Sequence, residues 1–256
     1  MEHEQPQHPP LPSSTDMAPS SLAVRDHAFF LDVDGTLAPI ATTPQEAGIP
    51  ASTLQILQRL VKAADGAVAI VSGRPLEEID QLVAPLRLPA AALHGAHWRD
   101  PDGATGRLAV DADEVADMAQ QLAPLLSRHS GLMLEQKGIA LALHYRHAPH
   151  CGELVRAAME KLIQRRDGFV LQPGKMVFEI KPRAASKAHA IERFLGLAPF
   201  EGRVPVFAGD DLTDEAGFAA VNERGGLSVK IGPGPSSARR RLPDPAALAR
   251  WLASLA

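Results

Sequence analysis

The chain has 256 residues, 26 of them basic and 30 acidic, for a formal charge of −4, and is 45% hydrophobic and 22% charged. That is enough apolar content for one large core or two modest ones, and the charge offers no footprint for nucleic acid or an anionic membrane, so neither is expected as a partner. No apolar run reaches the ~20 residues that span a bilayer and the amino terminus lacks a basic-then-apolar signal pattern; the single cysteine, Cys151, excludes an intrachain disulfide and fits a reducing compartment, so a cytoplasmic location is expected.

Residues 1–24 carry Pro6, Pro9, Pro10, Pro12 and Pro19 among His, Gln and Ser. Such a segment buries too little apolar surface to offset its ordering entropy, and a flexible tail is expected. From Ala28 short apolar runs alternate with helical patterns. Phe29-Phe30-Leu31 reads as a strand that ends in Asp32-Val33-Asp34-Gly35-Thr36. Strand side chains alternate faces, so Asp32 and Asp34 leave the strand end on one side while Val33 points away. Asp-x-Asp-Gly also opens calcium loops, but the acid and the Glu that an EF-hand needs at positions 5 and 12 fall on Thr36 and Thr43. Carboxylates delivered by a strand end point instead to a ligand site of an open α/β fold.

Leu54, Leu57, Leu60 and Val61 recur at helical spacing after Ser52, a candidate cap, and Asp65-Gly66 turns the chain into a strand at Ala67–Val71. That strand ends in Ser72-Gly73-Arg74, a hydroxyl and a glycine suited to hold a phosphate oxygen through side chain and backbone N–H. The polar stretch from Arg99 to Gly106 reads as a linker. Beyond it come a helical pattern (Val115, Met118, Leu122), an alternating strand (Leu141, Leu143, Tyr145), a second helix (Leu154, Val155, Ala158, Met159, Leu162) and strands at Phe169–Leu171 and Met176–Ile180. His144, His147 and His150 do not form a transition-metal set, because Pro149 breaks any helix that would align them and no Cys or acid completes the ligands.

The first unit resumes near Lys181-Pro182. Lys187 precedes a helical pattern (Ala190, Ile191, Phe194, Leu195), a strand at Val204–Ala208 runs into Gly209-Asp210-Asp211-Leu212-Thr213-Asp214-Glu215, another strand lies around Val229, and a helix at Pro245–Leu255 closes the chain. Asp210, Asp211, Asp214 and Glu215 place four acids within six residues, which repel one another unless a cation sits among them. The alternation predicts an α/β protein. We expect a core with a parallel sheet at 25–103 and 181–256, and a smaller inserted α/β unit at 104–180.

The strings DVDGT, SGR, Lys187 and GDDLTDE, in that order, resemble the four motifs of the haloacid dehalogenase superfamily of aspartate-nucleophile phosphatases. A closer resemblance, to the trehalose-6-phosphate phosphatases, is carried by Glu135-Gln136-Lys137-Gly138 leading into ALALHYR at 140–146, by PGKMVFEIKP at 173–182 and by GDDLTDEAGF at 209–218. The resemblance implies a Rossmann-like core with an inserted α/β cap, and hydrolysis of trehalose 6-phosphate through an aspartyl-phosphate. It implies Asp32 as nucleophile, Asp34 as acid and base, Ser72 and Lys187 on the phosphoryl oxygens, and Mg²⁺ held by Asp32, the Asp34 backbone carbonyl and Asp210, with Asp211 and Asp214 outside the metal's own ligands. Arg74, Glu135, Lys137 and Glu179 are the implied substrate-binding residues. One departure is Ala188, where that family usually has glycine after the motif lysine. Sucrose phosphate or another sugar phosphate is the alternative substrate, since the four core motifs see only phosphate. The intact acids argue against a noncatalytic module. The chain has no G-x-x-x-x-G-K-[ST] loop and no G-x-S-x-G elbow.

Overall fold

A computed structural model describes residues 22–40 and 48–256. The tail expected at 1–24 lies outside the described residues up to position 21. The expected α/β class is the one observed: an eight-stranded sheet, and a separate four-stranded antiparallel sheet.

The chain runs through β1 (His27–Leu31), α1 (Ala51–Ala63), β2 (Val68–Val71), α2 (Leu76–Val83), β3 (Ala90–Ala92), β4 (His97–Arg99) and β5 (Thr105–Arg107). It then forms α3 (Ala112–Arg128), β6 (Met133–Gln136), β7 (Leu141–His144), α4 (Gly152–Ile163), β8 (Phe169–Gly174) and β9 (Val177–Pro182). It returns through α5 (Lys187–Leu195), β10 (Val204–Gly209), α6 (Glu215–Glu223), β11 (Leu227–Ile231), β12 (Arg240–Leu242) and α7 (Pro245–Leu255).

The large sheet has the order β12-β11-β10-β1-β2-β3-β4-β5, parallel from β12 to β3 and antiparallel at β4 and β5. Its central strands are continuous apolar runs, as expected where helices cover both faces; Ala28–Leu31 and Val68–Val71 are buried throughout. Phe30 pairs with Phe207 in register. Phe30 stacks on Phe200 and Phe194 at 5.5 and 6.2 Å, and Phe207 meets Phe218 at 5.3 Å, which seats α5 and α6 side by side on that face. Leu31 is in register with Ala208 on one side and Ile70 on the other. The ends of β10, β1 and β2, with their motif residues, therefore finish next to one another at the carboxyl edge of the sheet.

The stretch expected to be a linker is instead a hairpin. Asp100 closes the turn between β4 and β5, its N–H donating to the Ala104 carbonyl at 2.8 Å. Asp100 also pairs with Arg193 of α5 at 2.6 Å, and the Arg193 guanidinium lies 4.3 Å from the Trp98 ring centre. A polar, Gly-rich run of this length thus holds a turn between two short strands, and β5, the edge strand, carries the large sheet to Arg107, past residue 103. Ser52 is not a cap. Pro50 occupies the N-cap of α1 without a side-chain hydrogen bond, its fixed φ setting the entry to the helix. β3 escapes a propensity reading because it is three alanines, and alanine is depleted in strands.

The small sheet has the order β6-β7-β9-β8. One face packs Leu141, Leu143, Ile180 and Phe169 against Val115, Met118 and Leu122 of α3 and Val155, Met159 and Leu162 of α4. Among the described residues no helix is long and apolar enough to cross a membrane.

Candidate active site between the sheet edge and the cap

Asp32 extends β1, its N–H donating to the Ala208 carbonyl at 3.0 Å, and its side chain is buried. Its two carboxylate oxygens have different donors: Lys187 Nζ reaches Oδ1 at 2.8 Å and the Thr36 hydroxyl reaches Oδ2 at 3.2 Å. Ser186 caps α5 by accepting the His189 N–H at 3.1 Å, which makes Lys187 the first helical residue and directs the chain into the site. Lys187 also donates to Asp214 Oδ1 at 2.6 Å, while Asp214 Oδ2 accepts the N–H groups of Asp210 and Asp211 at 2.9 Å each. Asp214 thereby ties the lysine to the turn that follows β10. The exposed Asp211 instead accepts the Leu212 N–H and helps cap the turn that leads to α6. Ala188, in the first turn of α5, is partly exposed.

Asp32, Asp210 and Asp214 each place a carboxylate oxygen within 4.8 Å of the others. The approach of Asp210 depends on Gly35: at its φ of +74° a Cβ would lie 2.0 Å from Asp210 Oδ2. Burial pushes the Asp32 carboxyl up to about 8 against the pull of Lys187, with Asp214 and Asp210 adding repulsion. Burial likewise raises Asp210 to about 7, helped by Asp214 and Asp211. Burial opposes the Lys187 charge, yet Asp214 and Asp32 hold its ammonium protonated. Three carboxyl groups crowd a single ammonium, so ionising them together calls for further positive charge, and hard oxygen donors of this kind suit a small divalent cation.

Asp34 is different. Its side chain is about half exposed, and Arg74 grips it with two hydrogen bonds, Nε to Oδ2 and Nη2 to Oδ1, both 2.7 Å. Arg74 also reaches Glu78 at 2.9 Å. Ser72 is buried, and its hydroxyl accepts the Arg74 N–H at 3.3 Å.

On the small sheet Ala142 of β7 is directly opposite Glu135 of β6 and Glu179 of β9. Opposed residues of antiparallel strands point to one face, so the two carboxylates stand in one row separated only by an alanine methyl, on the face away from α3 and α4. Glu135 is held by His144 Nε2 at 3.0 Å, which lowers its pKa. Lys137 Nζ lies 3.6 Å from Glu179 Oε2. Burial works against the Glu179 charge, but His94, Lys137 and Lys181 hold the carboxyl at about 2. Lys181, on the same face of β9, is pushed down to about 8 by burial, with Lys187 adding repulsion and Glu179 opposing.

The profile of the trehalose-phosphatase family matches residues 30–246. A trehalose-6-phosphate phosphatase of Escherichia coli K12 is 46% identical over 226 residues, 88% of this chain and 85% of that protein. A probable trehalose-phosphate phosphatase of Sinorhizobium fredii is 44% identical over 232 residues, 90% of this chain and 87% of that protein. The chain belongs to the trehalose-phosphatase family. The solved C-terminal domain of a C. albicans trehalose-6-phosphate phosphatase, 24% identical, superposes with a TM-score of 0.80 over 90% of this chain and 92% of that one, which bears on the fold.

Within this trehalose phosphatase fold, the expected residues form two groups. Asp32, Lys187, Asp210 and Asp214 meet at the sheet edge, with Asp34, Ser72 and Arg74 beside them, while Glu135, Lys137 and Glu179 stand on the cap. Thr36, Glu78, His94, Lys181 and Lys230 were missed by the sequence reading. Thr36 was within its reach, since it follows Asp32 by one turn. Lys230, at the end of β11, donates to the Asp210 and Ile231 carbonyls and so fixes the acidic turn from the far side.

Proposed function

We propose that the protein hydrolyses trehalose 6-phosphate to trehalose and inorganic phosphate in two steps, with Asp32 as nucleophile. The observation that carries this reading is the pairing of a buried, doubly anchored Asp32 with a cap row in which Glu135 and Glu179 flank a single alanine. Asp32 attacks phosphorus as the bond to the sugar oxygen breaks, and Asp34 delivers a proton to that oxygen. In the second step Asp34 takes the proton of the water that attacks the aspartyl-phosphate, and Asp32 is regenerated. In the resting arrangement the Arg74 guanidinium holds Asp34 through two hydrogen bonds; an incoming phosphate competes for that guanidinium and releases the Asp34 carboxyl toward the sugar oxygen.

Lys187 and the Ser72 hydroxyl hold the phosphoryl oxygens, each contact contributing about 3 kcal/mol to the transition state. Asp32, Asp210 and the Asp34 backbone carbonyl would hold Mg²⁺, with Asp211 and Asp214 supporting them; when bound it supplies positive charge to the phosphoryl oxygens. The core, whose large sheet reaches Arg107, and the cap built on the small sheet, which ends at Pro182, act as the two jaws of the site. Each of Glu135, Lys137 and Glu179 can engage two sugar hydroxyls. The reading includes a cytoplasmic location, in keeping with the single cysteine. Phosphate release from trehalose 6-phosphate, measured beside glucose 6-phosphate and sucrose 6-phosphate, tests the proposal: preference for the first is expected, and equal or greater turnover of either competitor refutes the substrate assignment.

A further inference from the structure

Glu179 reaches from the cap sheet to a turn of the core that the steps above leave unused. Leu93–Gly95 form one helical turn after β3, and Leu93 and His94 both hold positive φ, +48° and +57°. Two consecutive non-glycine residues in this region carry a conformational cost that surrounding structure must offset. The turn is bound to the phosphate loop by two backbone hydrogen bonds, His94 N–H to the Ser72 carbonyl at 2.9 Å and Leu93 N–H to the Arg74 carbonyl at 3.1 Å. Its third residue, Gly95, sits against the start of α5, where a Cβ would fall 2.8 Å from the Ser186 carbonyl. One strained turn thus touches both the Ser72–Arg74 loop and the helix that carries Lys187.

The His94 ring is buried between these parts and the cap. It lies so close to Gly73 that a Cβ there would be 2.7 Å from two ring atoms, and its Nε2 is 3.7 Å from Glu179 Oε2. Among the described residues, His94 Nδ1 and Glu179 Oε1 have no hydrogen-bond partner. Burial lowers the His94 pKa and leaves the ring neutral with a single N–H. The tautomer with that N–H on Nε2 aims it at the carboxylate and leaves only a lone pair unpartnered at Nδ1, a smaller cost than an orphaned donor. Glu179 Oε1 is then the oxygen left for a sugar hydroxyl.

We propose that His94 is a positioning residue that fixes the Glu179 carboxylate relative to the Ser72–Arg74 loop, so that the sugar held by the cap and the phosphate held by the core are in register. It rests on the reading of Glu179 as a sugar-binding group. The 3.7 Å separation is one that a small closing movement of the cap converts into a hydrogen bond.

The test compares kcat/KM for trehalose 6-phosphate and for phenyl phosphate, which lacks the sugar, in the unsubstituted enzyme, His94→Ala, His94→Asn, Glu179→Ala and the two double variants. His94→Ala is expected to cost trehalose 6-phosphate at least about tenfold more than phenyl phosphate. In the Glu179→Ala background the same change should cost less than about twofold further, because the ring has nothing left to hold. His94→Asn tolerates the left-handed backbone and keeps an N–H donor, and should recover at least about threefold of the loss. Equal losses on both substrates, or independent losses in the double variants, would assign His94 to the folding of the phosphate loop and overturn the proposal. If His94→Ala does not fold, the coupling between His94→Asn and Glu179→Ala decides it. If the unsubstituted enzyme prefers another sugar phosphate, the substrate reading fails, and the same coupling measured on that substrate still decides the role of His94.

Discussion

Lys187 and Asp32, 155 residues apart in the chain, meet at 2.8 Å in the buried floor of the site, and Asp214 takes a second hydrogen of the same ammonium at 2.6 Å. In the proposed mechanism the lysine both orients the attacking carboxylate and stands where charge grows on the phosphoryl group. Asp32→Asn keeps the shape and removes the proposed nucleophile. We expect turnover to fall by at least about 10³-fold, with the thermal unfolding midpoint and the binding of substrate in Mg²⁺ largely retained. Phosphatase activity within tenfold of the unsubstituted enzyme, in a clean preparation, would take the nucleophile role from Asp32.

The excess of acid over base in the same floor predicts a divalent-cation requirement. EDTA should silence the enzyme and Mg²⁺ should restore it. Full activity after exhaustive chelation and dialysis would contradict the assignment of Asp32 and Asp210.

Lys181 makes a stability prediction with a defined sign. Its folded pKa of about 8 lies below the ordinary 10.5. Below pH 8 both states carry the proton and the folded protein bears the cost of a buried charge; between 8 and 10.5 the folded state gives up its proton first, so the cost fades as pH rises. Lys181→Met should stabilise the protein by up to about 3 kcal/mol near pH 7 and by less than about 1 kcal/mol near pH 10. Denaturant melts of both proteins at the two pH values measure it. A destabilised variant at pH 7, or a gain that grows with pH, would show that Lys181 is held by attraction to Glu179 rather than penalised by burial.

The acids of the sheet edge were legible because their meaning is local. An apolar strand that ends in Asp32-Val33-Asp34 must deliver two carboxylates to one side, and β10 does the same with Asp210. The α/β class followed from the alternation of strands and helices. The relations that sequence did not disclose are those made by register and packing. Glu135 and Glu179 become neighbours only because both oppose Ala142, and Arg74 meets Asp34 across 40 residues. His94 was just another histidine until its backbone, bound to Ser72, brought it to Gly73. The hairpin at 97–107 was hidden because polar and glycine residues run through its strands as well as its turn, and its strands are three residues each.

The cap row predicts how specificity is lost. Glu135→Ala or Glu179→Ala should lower kcat/KM for trehalose 6-phosphate by about 10²-fold or more, because buried polar partners are left unpaired, while a small aryl phosphate changes by less than about threefold. Parallel kinetics on the two substrates measure this. Equal losses on both would place these residues in the support of the core site and remove sugar recognition from the cap.

The central claim, that Asp32 carries the phosphoryl group of trehalose 6-phosphate between two steps, is tested most directly by trapping the intermediate. Enzyme turning over trehalose 6-phosphate is quenched rapidly in acid, treated with borohydride to reduce any acyl phosphate, and digested for mass spectrometry. Homoserine at position 32, formed only in the presence of substrate and absent from the Asp32→Asn variant, is the predicted result. Unmodified Asp32 during active turnover, or reduction at Asp34 instead, would contradict the account.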